Sequence, residues 1–301
     1  MSLKIGDTPE MNATIARELL PYESSEIEIG GHRLRYLDEG SGESTLLCVH
    51  GNPTWSFYYR RVVDAFARTH RVIAVDHLGC GRSDKPKAGE FSYRFSAHRD
   101  NLVKLIERLD LARVTLVAHD WGGAIGLSSL LRTPERFEKI VLLNTAAFLP
   151  PYIPLRISAC RFPLLGTIAV RGFNAFAGAA ITMAMSRGDL SQEAKAGLLA
   201  PYRSWHSRIA IDRFVKDIPM HPGHPTYAEL SHLGEALEGL STMPSLLVWG
   251  MRDWCFRPEC LRRFQAAWPN ADVLEIADAG HYVLEDAPEE TLAAMTRFLS
   301  S

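Results

Sequence analysis

In VTLVAHDWGGAIGLSSLL, residues 114–131, an apolar run of strand character passes through His119-Asp120-Trp121-Gly122-Gly123 directly into an apolar helical pattern. A turn that sharp needs small residues, because its backbone lies close to neighbouring elements. Gly122 and Gly123 meet part of that need. The usual sequence at such an elbow is G-x-S-x-G; here Ala118 stands for the first glycine and Asp120 for the serine. The reacting atom is then a carboxylate oxygen. An ordinary Asp titrates near about 3.9 and is ionised at neutral pH, so it attacks an electrophilic carbon without a base to activate it. The ester so formed must be cleaved by water, and that step does need a base. An Asp here also reads as a cap on the following helix.

DAGHYVLEDAPEE, residues 278–290, places His281 in a turn after a strand-like run, with Gly280 before it. LLVWGMRDWCF puts Asp253 three residues beyond Gly250, again just past a strand, where a carboxylate can hold an imidazole's tautomer and charge. Taken singly, such a His is often structural and such an Asp often a turn cap. Together with Asp120 they fit the chain order nucleophile, acid, histidine.

CVHGNPTWSF, residues 48–57, follows another strand-like run and brings Asn52 to a turn before proline. The backbone amides of Asn52 and Trp121 are candidates for an oxyanion hole. The Asn52 carboxamide and Trp121 indole N–H are candidates to face a departing anion, with turn formation and core packing as their plainer roles. DHLGCGRSDKP, residues 76–86, is glycine-rich but lacks the Gly-Lys-Ser/Thr of a phosphate loop, and reads as a turn shaping the site's edge. His50, His77 and His119 follow separate strands without ligand spacing, so no metal or other cofactor is expected.

These residues need a scaffold that gathers strand ends. SEIEIGGHRLRYLDEG, residues 25–40, alternates around Gly-Gly as a β-hairpin does. The apolar runs 45–50, 71–76, 113–119 and 139–144 read as strands buried on both faces, and the runs 244–250 and 271–278 resume the strand pattern. Residues 98–111, with apolar positions 102, 105, 106 and 109, read as a helix, and TLAAMTRFLS closes the chain with another. The order β, α, β, α indicates an α/β protein with a mostly parallel sheet. From about 148 to 235 the pattern becomes helical, apolar and punctuated by proline, without a clear strand: an inserted helical cap.

The 301 residues, 47% hydrophobic, suffice for a large core. With 33 Lys plus Arg against 35 Asp plus Glu, no strong field exists to hold nucleic acid or an anionic surface, which leaves a small near-neutral substrate as the expectation. The five cysteines form no CxxC pair and read as reduced thiols. The opening MSLKIGDTPEMNATIARELL shows no basic start followed by an apolar run, and no stretch of about 18 apolar residues occurs. A cytoplasmic protein without a membrane span is expected.

HGNPTWSFYYR, DHLGCGRSDKP, HDWGGAIG, GMRDWCF and DAGHYVLED strongly resemble haloalkane dehalogenases, from about residue 26 to the C-terminus. The resemblance implies an α/β-hydrolase fold with an eight-stranded, mostly parallel sheet. It implies a main domain of residues 1–147 and 236–301 and a helical cap domain of residues 148–235. It also implies Asp120 as nucleophile, His281 as base, Asp253 as acid, and Asn52 with Trp121 holding a halide. Asn144 stands where some relatives carry a carboxylic acid, which supports Asp253 in that role. Phe148, Tyr202 and Trp205 are candidates for the substrate pocket.

LNTAAF at 143–148, APYRSW at 200–205 and RFVKDIP at 213–219 resemble the subgroup that includes the β-lactone decarboxylases of long-chain olefin biosynthesis. Hydrolysis of a carbon–halogen bond through an aspartyl ester is the first expectation and decarboxylation of a β-lactone at the same residues the alternative. Under the alternative, association with other olefin-biosynthesis enzymes is expected. Two further readings stay open. Epoxide hydrolases share the Asp nucleophile and use two cap tyrosines, for which Tyr152 and Tyr202 are available. A non-catalytic ligand-binding domain on the same fold is the other.

Overall fold

The computed structural model describes residues 9–301, with side chains from residue 14 onward. The reading of the first eight residues as carrying no targeting run lies outside that range.

Eight strands form one sheet: β1 (Ser24–Ile29), β2 (His32–Glu39), β3 (Thr45–Val49), β4 (Arg71–Asp76), β5 (Val114–Asp120), β6 (Phe137–Thr145), β7 (Ser245–Gly250) and β8 (Asp272–Ile276). Their order is β1-β2-β4-β3-β5-β6-β7-β8. Only the pairings of β2 are antiparallel, with β1 through the Gly30-Gly31 turn and with β4. The remaining pairs are parallel. Every expected strand is present, within one or two residues of its sequence limits.

Strands β3 to β7 are buried on both faces along almost their whole length because helices cover both; β8, at the sheet's edge, is not, with Asp272, Val273 and Glu275 exposed. Leu47 and Val49 of β3 pack with Leu102, Leu105 and Ile106 of the helix Phe95–Arg108 and with Ile125 of the helix Trp121–Leu130. Leu46 and Cys48, one residue out of phase, pack with Val62, Val63 and Phe66 of the helix Arg60–Phe66 and with Met295 and Phe298 of the helix Pro288–Ser300. The period of two thus splits each strand between two cores.

The chain leaves β3 outward to β4 and then returns past β3 to β5. A parallel sheet leaves a crevice at such a reversal, beyond the strands' C-terminal ends. Asn52 follows β3, Asp120 ends β5, Asn144 lies near the end of β6, Asp253 follows β7 and His281 follows β8. All five functional candidates therefore rise from one edge of the sheet.

Between β6 and β7 the chain is helical: Leu155–Cys160, Leu165–Thr167 running into a π turn at Ile168–Gly172, Ala175–Met183, Gln192–Leu199, Ile209–Lys216 and Pro225–Ala236. The last of these departs from the expected limit of the insertion at 235. It packs on the helices Phe95–Arg108 and Trp121–Leu130, burying Leu230 and Leu233 in the same core as β3 and β5. Its alternation of Leu with small polar residues matches a main-layer helix, and the chain has returned to that layer by Pro225. Among the described residues no helix is long and apolar enough to cross a membrane, and all five cysteines are free.

Candidate active site

Asp120 sits at φ 54°, ψ −131°, a conformation that strains any residue with a Cβ. Neighbours hold it there. Its carbonyl oxygen accepts the Thr145 hydroxyl, and Gly122 runs so close to β3 that a Cβ there would lie 1.9 Å from the Val49 carbonyl oxygen. Glycine at 122 is therefore a demand of the backbone itself, which explains why the second half of the elbow pattern survives although Ala118 replaces its first glycine.

The strain turns the carboxylate into the crevice with its two oxygens in different surroundings. Oδ1 accepts the backbone N–H of Asn52 at 2.6 Å, and the backbone N–H of Trp121 also bonds the carboxylate. Oδ2 lies 3.7 Å from His281 Nε2, too far for a hydrogen bond. One oxygen is held and the other faces the imidazole.

His281 donates from Nδ1 to Asp253 Oδ2 at 2.8 Å. Asp253 also accepts the Cys255 N–H at 2.7 Å and the Asn144 carboxamide at 3.0 Å. Asn144 is locked in turn, accepting Gly250 N–H at 2.8 Å and donating to the Gly250 carbonyl at 3.1 Å. The end of β6 thus grips the turn after β7. His119 fixes the backbone of His281, its Nε2 bonding the His281 carbonyl at 3.0 Å, while Phe256 stacks on the His281 imidazole with centroids 5.5 Å apart.

Burial works against charge on both central groups. It pushes Asp120 above the ordinary carboxylate range, opposed by His281 and by the N–H groups of Trp121 and Asn52. It would likewise push His281 down, but Asp253 and then Asp120 outweigh it and hold the imidazole above its usual value. The same carboxylates that raise His281 favour its charged form over what burial alone would allow. His119, buried and facing His281, is pushed far down and stays neutral.

The crevice is the floor of a cavity of about 1250 Å³, counting its mouth open to solvent. Asn52, Asp120, Trp121 and His281 border it, and the helix Ala175–Met183 supplies an apolar wall through Phe176, Ala179, Ala180 and Met183. Asn52 Nδ2 donates to the Ile211 carbonyl at 3.3 Å, and its Oδ1 is buried without a partner. The Trp121 ring packs against Phe95 and Phe214.

Of the pocket residues expected from sequence, Phe148 lines the cavity. Tyr202 does not: it is buried behind the 51–56 segment, its hydroxyl bonded to the Thr54 carbonyl at 3.1 Å. Trp205 also lies off the wall, 47% exposed with Arg171 over its ring. Both belong to an aromatic-rich stretch whose facing no periodicity in the sequence reveals. Tyr152 does line the mouth, so the two tyrosines of an epoxide-opening site do not converge. The glycine-rich loop after β4 braces the floor from behind: Asp76 accepts Ser56 N–H at 2.7 Å and Arg82 N–H at 2.8 Å.

Sequence reasoning missed the thiols of Cys160, Cys255 and Cys260 on the wall, and Phe256 stacked on the His281 ring. Phe256 was within reach of a motif argument, since it sits three residues beyond Asp253 in the same turn. Cys255, in the same turn, was within the same reach, but Cys160 was not, because it comes from a distant helix.

The alpha/beta hydrolase fold family matches residues 44–288. A cis-3-alkyl-4-alkyloxetan-2-one decarboxylase from Shewanella oneidensis is 41% identical over 94% of this chain and 90% of its own length. Haloalkane dehalogenase 2 of Mycobacterium tuberculosis is 31% identical over 92% and 95%. Among solved structures, a mutant haloalkane dehalogenase from Agrobacterium tumefaciens superposes with a TM-score of 0.82 at 26% identity, covering 93% of this chain and 97% of that one.

Proposed function

From a chain that belongs to the α/β-hydrolase fold family, in the group that holds haloalkane dehalogenases and β-lactone decarboxylases, we propose an enzyme that decarboxylates cis-3,4-dialkyl β-lactones to alkenes. The observation that carries this reading is the greater likeness to a decarboxylase, 41% against 31% identity over nearly the same span. It reverses the order of the two readings that the motifs alone suggest. The apolar cavity above Asp120 supports it, since a lactone with two alkyl arms needs a wide dry space.

Asp120 Oδ2 attacks ring carbon C4 from the face opposite the ring oxygen. The C4–O1 bond breaks, and its electron pair leaves on the substrate carboxylate, which lies away from Asp120, toward Asn52 and Trp121. An alkyl ester of Asp120 results. The C2–C3 bond then breaks, carbon dioxide departs, and the pair forms the C3–C4 double bond while the C4–Oδ2 bond breaks. Asp120 is regenerated, and no water is consumed. Attack with inversion followed by anti elimination converts a cis lactone into a cis alkene.

Asp120 is the leaving group of the second step, and its surroundings suit that role. The Asn52 amide stabilises Oδ1 and the Trp121 amide the same carboxylate, and an imidazolium at His281 stabilises Oδ2 as charge returns to it. Asp253 keeps that imidazole charged. The test is incubation with a cis-3,4-dialkyl oxetan-2-one, with alkene followed by gas chromatography. The wild-type protein should release alkene and Asp120→Ala none; a wild-type protein that returns the lactone unchanged contradicts the reading.

The His281–Asp253 pair favours hydrolytic dehalogenation as a second reading, because it is the apparatus that water attack on an aspartyl ester requires. Halide release from 1-bromohexane, lost in Asp120→Ala, would favour it.

A further inference from the structure

Between residues 155 and 173, beside the cavity mouth, large apolar side chains stand in solvent: Leu155 is 82% exposed, Phe162 63%, Leu164 71%, Leu165 71% and Phe173 80%. None of these five lines the cavity. Trp205 extends the patch, packing beside Gly172 and under Arg171. A patch of this size on one segment calls for a partner.

The charge around it points to one. No acidic residue occurs between Glu138 and Asp189. Arg156, Arg161, Arg171 and Arg208 rise within or next to the patch, and none forms an ion pair with a carboxylate among the described residues. Arg161, Arg171 and Arg208 spend their donors on backbone carbonyls; Asp217 and Asp212 act on Arg161 and Arg171 only from a distance, without a direct ion pair. The whole chain carries a net charge of −2, so this cationic, apolar face is a local arrangement. Short turns bearing protruding Leu and Phe side chains ringed by arginines match the headgroup zone of an anionic bilayer, where the apolar tips enter the acyl boundary and the guanidinium groups meet phosphates.

We propose that this face rests on an anionic lipid bilayer and that the cavity mouth opens toward it. Tyr152, Arg156 and Cys160 connect the two, since they line the mouth and flank the exposed residues. A dialkyl substrate partitions into hydrocarbon and reaches the cavity without crossing water. The contact does not depend on which apolar substrate the site turns over.

The test is co-sedimentation of the full chain with vesicles of phosphatidylcholine alone and of phosphatidylcholine with phosphatidylglycerol in equal parts. Binding is expected to the anionic vesicles, weakening as salt is added. The combined variant F162S, L164S and F173S should lower the bound fraction more than about tenfold. Because those positions are exposed, it should keep wild-type turnover of a short-chain, water-soluble lactone. No sedimentation of the wild-type protein with anionic vesicles, or equal sedimentation of the variant, overturns the proposal. So does a patch buried by self-association, seen as a concentration-dependent oligomer that the same three substitutions abolish. Vesicle binding is read without catalysis, so failure here is distinguishable from failure of the decarboxylase reading.

Discussion

The backbone N–H of Asn52 lies 2.6 Å from Asp120 Oδ1, so under the proposed mechanism the attacking carboxylate is already seated against a donor that can receive its charge. The loop's approach depends on Gly51, where a Cβ would stand 2.0 Å from Asp120 Oδ1. Gly51→Ala must push the loop and the Asn52 amide away. Turnover should fall by about a hundredfold or more, the scale of losing one such donor, with circular dichroism unchanged. Turnover within a few-fold of wild type would remove the Asn52 amide from the mechanism.

Asn144 joins β6 to the turn after β7 through Asp253 and Gly250. Asn144→Ala leaves Gly250 N–H and one lone pair of Asp253 unpaired in a buried place, a cost of about 1–3 kcal/mol for a group so stranded. Urea denaturation should show that loss, together with reduced turnover because Asp253 holds His281 less firmly. Unchanged stability would mean that water replaces the carboxamide without loss.

The two readings of the site predict opposite responses to pH. Decarboxylation needs Asp120 ionised and His281 protonated. Since burial raises Asp120, the acid limb of the rate profile should lie above the ordinary Asp range. Burial lowers His281, but Asp253 and Asp120 outweigh it and raise it overall. The alkaline limb, where the imidazolium loses its proton, should therefore lie above the ordinary imidazole value. Hydrolysis of an aspartyl ester needs neutral His281, so halide release would instead increase as pH rises through that same value. Alkene release from the lactone and halide release from 1-bromohexane, each measured across neutral pH, separate the two by sign alone.

Tyr202 bonds the Thr54 carbonyl behind the floor. Tyr202→Phe should cost about 1 kcal/mol of stability for one buried hydrogen bond and leave turnover near wild type. A large loss of turnover with intact binding would return Tyr202 to the chemistry and reopen the epoxide reading.

The strands were legible because their apolar runs end in turn signals, and their order placed Asp120, Asp253 and His281 at one edge of the sheet. Gly122 and Gly51 were legible only in part. Their spacing marked tight turns, but the partners they approach, Val49 and Asp120, come from other strands. The insertion was the least legible. Its helices are short and apolar on several faces, so nothing local distinguished Tyr202, buried behind the floor, from Phe148 on the cavity wall. The return to the main layer at Pro225 was hidden for the same reason: Leu230, which also borders the cavity, and Leu233, which does not, look alike in the sequence.

Whether Asp120 leaves as a carboxylate or is released by water is the most direct question to put to this site. Many turnovers of a cis-3,4-dialkyl oxetan-2-one in heavy-oxygen-labelled water, followed by mass spectrometry of the peptide bearing Asp120, answer it. The account predicts cis alkene and an Asp120 carboxylate without the heavy isotope, because elimination returns both original oxygens. Heavy oxygen in Asp120, with a hydroxy acid in place of the alkene, would contradict it and make the protein a hydrolase of its own aspartyl ester.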